Sequence, residues 1–306
     1  MIRALGKALR RPRRLVLLTV LLAVTALVVP TAGLRQTPFE LVKVRTAKAV
    51  DRSPGVIWIL CLGSDARPGQ AMTSTRADAI QLVGINLRTG AATDIGVPRD
   101  SFVNIPGHGR NKINSAMAFG GPQMMARAVG NLVGIHPEYV FTAGFDGFRN
   151  MIRAIGGVTV YSKFAFSDPV RPQGYHRGRN RLTPFQALIF ARMRHALPRG
   201  DFDRSHDQQS LMKGILREVR SKQDRPGFME RGVLAVVRNL NTDLPPADLY
   251  TLAQAATRIQ PSKYRGCVIN GSTGYVGAMS VVYPNVAEAR SIARRVRRDA
   301  TLTGPC

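Results

Sequence analysis

The stretch Val56-Ile57-Trp58-Ile59-Leu60-Cys61-Leu62 is apolar at every position. A short run of this kind, without charge and with several β-branched residues, predicts a strand that is buried on both faces. Two further strands are predicted at residues 79–86 and 92–97, with Arg88-Thr89-Gly90 as the hairpin turn between them. Strands and helical patterns alternate along the rest of the chain without a clear division, which predicts one α/β domain.

Apolar residues recur at helical spacing in four segments, which are residues 122–133, 145–155, 204–220 and 246–259. Another helix is predicted to begin after Thr183. Thr183 and Gln186 form a capping-box pattern, and Pro184 suits the first helical position. This helix is expected to end near residues 192–194.

The N-terminus predicts a membrane anchor. Residues 1–14 carry six basic and no acidic side chains, and residues 15–34 carry no charge at all. Twenty apolar residues in a helix span about 30 Å, the thickness of a hydrocarbon core. The basic tail is expected to remain cytoplasmic, with everything after it outside the membrane. A cleaved signal peptide is the alternative, but the length of the run favours an uncleaved anchor. Residues 35–55 are then expected to form a stalk.

The chain carries a formal net charge of +25. Such an excess indicates nucleic acid, a membrane surface or an anionic substrate as the partner. The predicted location outside the membrane excludes the genome, so no nucleic-acid partner is expected. An anionic substrate or an envelope polymer accounts better for the charge. In an exported chain disulfides persist, so Cys267 and Cys306 are expected to pair and to fix the C-terminal end.

Two Arg–Asp motifs flank the predicted hairpin. Arg76-Ala77-Asp78 comes directly before one strand, and Pro98-Arg99-Asp100 comes directly after the next. Because the start of one hairpin strand lies beside the end of the other, Asp78 and Asp100 are expected to be neighbours. Two carboxylates there could hold Mg²⁺ against phosphate oxygens. A pair of ordinary surface salt bridges is the alternative.

A second polar cluster follows the helix that begins after Thr183. It contains Arg192, Arg194, Asp201, Arg204 and Gln208. Guanidinium groups bind phosphate oxygens two at a time, so the cluster predicts a site for a phosphorylated ligand with an apolar part. A solvated charged turn is the alternative. In one regular helix Arg192 and Arg194 would point about 200° apart, so the helix must end there if both are to reach one ligand.

Several short motifs together resemble the LytR-CpsA-Psr family. They are Leu62-Gly63-Ser64-Asp65-Ala66-Arg67, Arg76-Ala77-Asp78, Pro98-Arg99-Asp100, Lys112-Ile113-Asn114-Ser115-Ala116, Gly120-Gly121, Ile155-Gly156-Gly157-Val158 and the segment from Ala191 to Gln209. The resemblance covers residues 56–220, the expected catalytic core, and residues 221–306 are expected to complete the same domain. It implies a central mixed β-sheet flanked by helices, outside the membrane. It also implies a phosphotransferase that moves a glycopolymer from polyprenyl pyrophosphate to peptidoglycan.

Site roles follow from the resemblance by position. Asp78 and Asp100 would bind Mg²⁺, with Mn²⁺ as the alternative metal, and Asp201 would orient the arginines. Arg99 and Asp100 are the expected catalytic pair. The expected pyrophosphate ligands are Arg76, Arg99, Lys112, Arg192, Arg194, Arg204 and Gln208. The expected partners are the polyprenyl-pyrophosphate-linked glycan, peptidoglycan and membrane lipid. A polyprenyl-pyrophosphate pyrophosphatase is one alternative, since the same residues would serve it. A non-catalytic lipid-binding or regulatory protein is the other, and it predicts that Asp78→Ala and Asp100→Ala retain function.

Overall fold

The computed structural model describes residues 39–44, 55–67, 70–169, 171–228 and 240–306. The predicted cytoplasmic tail 1–14 and membrane segment 15–34 lie outside these residues. Among the helices of the described part, none is long and apolar enough to cross a membrane.

Fifteen strands are described. They are β1 (Phe39–Lys43), β2 (Val56–Ser64), β3 (Ala77–Asn86), β4 (Ala92–Gly96), β5 (Phe102–Ile105), β6 (Gly109–Lys112), β7 (Tyr139–Ala143), β8 (Val158–Ser162), β9 (Phe166–Asp168), β10 (Arg171–Tyr175), β11 (Gly178–Leu182), β12 (Leu240–Thr242), β13 (Tyr264–Val268), β14 (Gly271–Val276) and β15 (Met279–Pro284). Seven of them form the central sheet, in the order β12-β1-β7-β2-β3-β4-β13. Antiparallel pairs such as β2–β3 stand beside parallel pairs such as β2–β7, so the sheet is mixed, as predicted.

The α-helices of the described residues are α1 (Ser115–Val133), α2 (Phe145–Ala154), α3 (Pro184–Arg192), α4 (Asp201–Lys222), α5 (Pro246–Arg258) and α6 (Val286–Val296). Helix α1 is longer than predicted because an extra turn precedes Pro122. Gly120 and Gly121 interrupt that turn with non-helical backbone, and Gly121 takes a φ of 62°. Glycine tolerates this conformation, and proline cannot continue a regular helix from the preceding turn.

Alternating side chains of β2 enter two hydrophobic layers. Trp58, Leu60 and Leu62 face the layer built with α1 and α6, and Ile57 faces the layer built with α4 and α5. Trp58 is fully buried and lies opposite Gly84 of β3. A Cβ atom on Gly84 would come within 2.5 Å of the Trp58 ring. The central strand is therefore buried on both faces, as its apolar run predicts.

Residues 39–43 require a correction to the predicted stalk. They form β1, which pairs with β7 on one side and β12 on the other. Phe39 and Leu41 alternate into the core and are buried. At the other end of the chain, β12 and β13 join the same sheet and Cys267 forms a disulfide with Cys306, the pair expected from the sequence. The C-terminal third thus completes the central sheet to which β1 already belongs.

Candidate active site

The predicted β3–β4 hairpin brings the two Arg–Asp motifs together. Asp78 lies at the start of β3, and Arg99 and Asp100 follow the end of β4. The Arg99 guanidinium pairs with the Asp78 carboxylate, and its Nε lies 3.9 Å from Asp100 Oδ1. Asp78 and Asp100 therefore share Arg99, which places the two carboxylates on either side of one cation.

Asp100 is the centre of a wider cluster of cations. Lys112, at the end of β6, places its Nζ 3.3 Å from Asp100 Oδ1. Arg194, which follows α3, places its Nη2 3.4 Å from Asp100 Oδ2. The Asp100 side chain is only 5% exposed, whereas Lys112 and Arg194 are 23% and 33% exposed. The buried carboxylate thus contacts two cationic side chains whose other surfaces reach solvent.

The first turn of α4 supplies a second, more deeply buried pair. Arg204 pairs with Asp201, and their side chains are 5% and 4% exposed. The backbone N–H of Asp100 donates to Asp201 Oδ2 at 3.5 Å, which links this pair to the cluster. Asp201 also begins α4, where a carboxylate is favoured by the helix dipole. Asp201 thereby holds Arg204, and its role in orienting the arginines toward a ligand stays a prediction.

Burial and neighbouring charge act in opposite directions on these groups. Burial raises the pKa of Asp201, while Arg204 acts to lower it. Burial lowers the pKa of Arg204 despite the attraction of Asp201. Burial acts against the charged form of Arg99 too, but Asp78 and Asp100 outweigh it and raise the Arg99 pKa. Both arginines nevertheless stay charged at neutral pH, because a guanidinium remains protonated under these conditions.

The cluster keeps capacity for an anion. Arg99, Lys112, Arg194 and Arg204 provide four positive charges, whereas three carboxylates face them. The buried Nε of Arg99 has no hydrogen-bond partner within the described residues. A buried donor without an acceptor is costly, so a ligand oxygen bound there would stabilise the site.

A cavity of about 600 Å³ opens beside this cluster. Asp100, Arg194 and Asp201 line it, together with residues 271–273 and 280–282 of the β14–β15 hairpin. A cavity of this volume is typical of a small-molecule or cofactor site. The sequence pattern shows residues 271–277 only as a glycine-rich loop without a P-loop pattern, so it does not predict this part of the lining. The hairpin reaches the site through a long-range backbone contact, in which Val282 N–H donates to Asp100 O at 2.9 Å.

Three predicted phosphate ligands make other contacts. The Arg76 side chain is exposed, and its backbone pairs with Asp65. The Arg192 guanidinium lies 4.5 Å from the centre of the Phe145 ring. Helix α3 ends at Arg192, as predicted, but Arg192 and Arg194 reach different neighbours. The contact of Arg76 and Arg192 with a phosphate stays a prediction.

Gln208, the third of these ligands, lies on the same face of α4 as Arg204, one turn further on, and it is buried. Its Nε2 donates to Ala191 O at 3.0 Å, and its Oε1 accepts from Gln81 Nε2 at 3.1 Å. Both ends of the amide are therefore bonded to protein. In this arrangement Gln208 fixes the end of α3 just ahead of Arg194, and its direct contact with a phosphate stays a prediction.

The carboxylates of Asp78 and Asp100 are the predicted ligands of a metal ion. Throughout the described residues, no group of three or more His, Cys, Asp or Glu side chains is arranged to hold a metal ion. Asp78 and Asp100 nevertheless provide hard oxygen atoms around a position that suits a cation, since Arg99 contacts both. Mg²⁺ is commonly held by one or two carboxylates together with substrate phosphates and water. The donor set therefore fits Mg²⁺ or Mn²⁺.

Comparison with known proteins gives consistent relatives. The chain is 31% identical over 216 residues to a polyisoprenyl-teichoic acid–peptidoglycan teichoic acid transferase TagU of Bacillus cereus, a match that covers 69% of this chain and 66% of that protein. The chain thus spans slightly less than two thirds of this relative. The TagU of Bacillus subtilis is 35% identical over 163 residues, or 52% of this chain and 51% of that protein.

The fold has a counterpart among solved structures. The crystal structure of B. subtilis TagV matches with a TM-score of 0.65 and 25% identity, over 83% of this chain and all of that one. The LytR_cpsA_psr family model matches residues 31–298. This match includes the hairpin motifs, the α3–α4 segment and the C-terminal strands that together form the site. The chain belongs to the LytR_cpsA_psr family.

Proposed function

We propose that this chain transfers a glycopolymer from a polyprenyl-pyrophosphate carrier to peptidoglycan and leaves a phosphodiester between them. The observation that carries the proposal is the cluster of Arg99, Lys112, Arg194 and Arg204 around Asp100, at the wall of a 600 Å³ cavity. The family supports it, as does the similarity to TagU proteins, whose name describes a teichoic acid transferase between a polyisoprenyl carrier and peptidoglycan.

In the proposed reaction a hydroxyl oxygen of peptidoglycan attacks the phosphorus that carries the glycan. A phosphorus–oxygen bond forms to the acceptor, and the bond from this phosphorus to the bridging oxygen breaks. Polyprenyl monophosphate leaves with the electron pair. The proposal gives the hydroxyl proton to Asp100, whose carboxylate lines the cavity. In phosphoryl transfer the protein mainly positions the phosphates and balances their charge, which is work suited to this arginine cluster.

The chain's own cations divide this work. Arg99 and Arg194 can each bind two phosphate oxygens through a planar fork, and Lys112 supplies a point charge. Arg204 is buried and held by Asp201, so it acts as a fixed positive charge beneath the phosphates. The proposal assigns Mg²⁺, or Mn²⁺ in its place, to Asp78 and Asp100. When bound, the metal would offset negative charge on the phosphate oxygens.

The proposal places the enzyme at the outer side of the cell membrane, as a single-pass protein whose N-terminal tail is cytoplasmic. It depends on residues 15–34, which carry no charge and are long enough to span a bilayer. Membrane anchoring suits a lipid-linked donor, because enzyme and donor then share one surface. N-terminal sequencing of the protein from membranes tests this, since a start after residue 33 would indicate a cleaved signal peptide.

The decisive assay incubates the full-length protein in detergent with labelled polyprenyl-pyrophosphate glycan, peptidoglycan and Mg²⁺. We expect a phosphodiester-linked product that disappears with EDTA and returns with Mg²⁺ or Mn²⁺. Arg99→Ala should lower kcat about 100-fold or more, since a charge aimed at the reacting phosphate is typically worth that much. Arg294→Ala removes an exposed arginine of α6 and is the matched control.

Other products would contradict the proposal in distinct ways. Release of free glycan phosphate, with no product on peptidoglycan, would identify a pyrophosphatase. Complementation of a deletion strain by both Asp78→Ala and Asp100→Ala would indicate a non-catalytic protein. Wild-type kcat in Arg99→Ala would show that the chemistry takes place elsewhere.

A further inference from the structure

The β14–β15 hairpin differs from the rest of the chain in its charge. Residues 271–285 contain no charged side chain, in a protein whose net charge is +25. The hairpin nevertheless lines the same cavity as Asp100 and Arg194, and its Val282 N–H donates directly to Asp100 O. The lining of the cavity is therefore charged in the Asp100 cluster, and neutral and rich in hydroxyl groups in the hairpin.

The register of the hairpin gives its two faces. Thr273 pairs with Val282 and Tyr275 pairs with Ser280, so these four side chains share one face. Val282 is buried against Phe202 at the start of α4, and Thr273 and Ser280 line the cavity. Tyr275 therefore shares the face of Thr273 and Ser280, next to Ser280 and further from the core, just beyond the residues that line the cavity.

Tyr275 is unusual because its side chain is 74% exposed. Its backbone oxygen accepts from the Tyr283 hydroxyl at 3.2 Å, but none of the described residues packs on its ring in a stacking or cation–π contact. The Thr273 and Ser280 hydroxyls likewise have no hydrogen-bond partner among the described residues. A flat apolar ring beside two free hydroxyl groups suits a sugar, which has an apolar ring face and polar edges.

The hairpin face that carries Tyr275 and Ser280 lies near Asp100. Val282 N–H bonds to Asp100 O, and Ser280 is two residues away, or about 7 Å along the strand. Tyr275 is the cross-strand neighbour of Ser280. A sugar on Tyr275 would thus lie close enough to the phosphate cluster for an adjoining unit of the same glycan to reach Asp100.

We propose that Tyr275, Thr273 and Ser280 form a subsite for the peptidoglycan glycan strand that accepts the polymer. This inference rests on the proposed function. The donor is already positioned by its pyrophosphate, whereas the acceptor brings no phosphate to the arginine cluster. The acceptor must therefore be oriented by neutral contacts, and the β14–β15 hairpin supplies the uncharged lining beside the reacting group.

The test compares Tyr275→Ala with Tyr275→Phe and with Tyr161→Ala, all as full-length proteins. Tyr161 is also an exposed tyrosine, but it lies on β8, away from the cavity wall. Tyr275→Ala should raise the KM for peptidoglycan about tenfold, since it removes one apolar stacking surface, and should leave kcat and the donor KM unchanged. Tyr275→Phe keeps the ring and Tyr161→Ala keeps the subsite, so both should behave as wild type.

A second measurement does not depend on turnover. Purified uncrosslinked glycan strands of peptidoglycan are titrated against each variant, and binding is followed by co-sedimentation or by nuclear magnetic resonance. Weaker binding by Tyr275→Ala alone supports the subsite, even if no transfer is observed and the proposed function fails. Unchanged binding and acceptor KM in an active enzyme would overturn the subsite alone. A higher KM for the donor instead of the acceptor would also overturn it.

Discussion

Asp207, on α4, offers a test of how burial controls the charge state of this domain. Its side chain is only 3% exposed, and its Oδ2 has no hydrogen-bond partner within the described residues. Burial raises the pKa of Asp207 from its ordinary value of 3.8 to about 8, Asp203 raises it further, and Lys163 acts in the opposite direction. We therefore expect Asp207 to be protonated in the folded protein at neutral pH.

The sign of the effect on stability follows from proton linkage. Between pH 3.8 and about 8 the unfolded chain has lost this proton and the folded chain keeps it. The folded state then binds more protons, so its stability falls as pH rises through this window and levels off above it. pH 7 lies about three pH units above the ordinary pKa of 3.8 and still below the folded pKa of about 8. The stability lost by pH 7 therefore amounts to up to about 4 kcal/mol.

Asp207→Asn should remove this cost, because the amide has the same shape and carries no charge. We expect the variant to be more stable than wild type by up to about 4 kcal/mol at pH 7, with a difference close to zero at pH 4. Urea denaturation of the full-length protein at pH 4, 6, 7 and 8.5 measures it. Trp58 is the single tryptophan and is fully buried, so its fluorescence reports unfolding of the central sheet.

The matched control is Asp224→Asn, which changes an exposed carboxylate just after the end of the same helix. It should alter the free energy of unfolding by no more than about 0.5 kcal/mol at any pH. If Asp207→Asn were equal to or less stable than wild type at pH 7, Asp207 would have to be ionised and paired in the folded protein. The reasoning from its burial would then be wrong.

Two further predictions concern stability away from the site. Cys267→Ser opens a disulfide between residues 39 positions apart, which should lower the free energy of unfolding by about 4 kcal/mol. Wild type treated with reductant should lose the same amount, while the variant should not respond to reductant. Gly84→Ala would place a methyl group 2.5 Å from the Trp58 ring, so it should cost about 1–3 kcal/mol and shift the tryptophan emission; unchanged emission and urea midpoint would contradict the packing.

The parts of the fold that the sequence predicts correctly depend on local pattern. The apolar run of β2 and the turn at Gly90 are enough to predict β2, β3 and β4. They also predict that the Asp78 motif lies near the Asp100 motif, and in the structure Arg99 contacts both carboxylates. Strand β1 could not be found in this way. It is five residues long and its partners are β7 and β12, which lie about 100 and 200 residues further along the chain. A short strand of this kind is specified by its neighbours in the sheet more than by its own residues.

In the candidate site too, the features set by local sequence could be predicted, and those set by distant contacts could not. Helical geometry predicts that α3 must end near Arg192 if Arg192 and Arg194 are to reach one ligand, and the helix does end there. Local geometry contains no information about Phe145, which takes the Arg192 guanidinium, or about the buried partners of Gln208. The predicted start of α4 is too late for a related reason. Its first residues are polar and typical of a loop, but Asp201 and Arg204 are buried as a pair, which only the tertiary structure reveals.

These buried charges have a consequence for the proposed reaction. Removing an ion pair such as Asp201–Arg204 from water is costly, and well-packed apolar residues would usually stabilise the fold at least as well. In the proposed reaction the pair contributes through the charge that it positions. It holds a guanidinium beside the carboxylate that accepts from the Asp100 N–H, while Lys112 and Arg194 remain partly exposed. A charge that is already oriented needs no rearrangement when negative charge develops on a phosphate, and this preorganisation is what a transferase without a protein nucleophile requires.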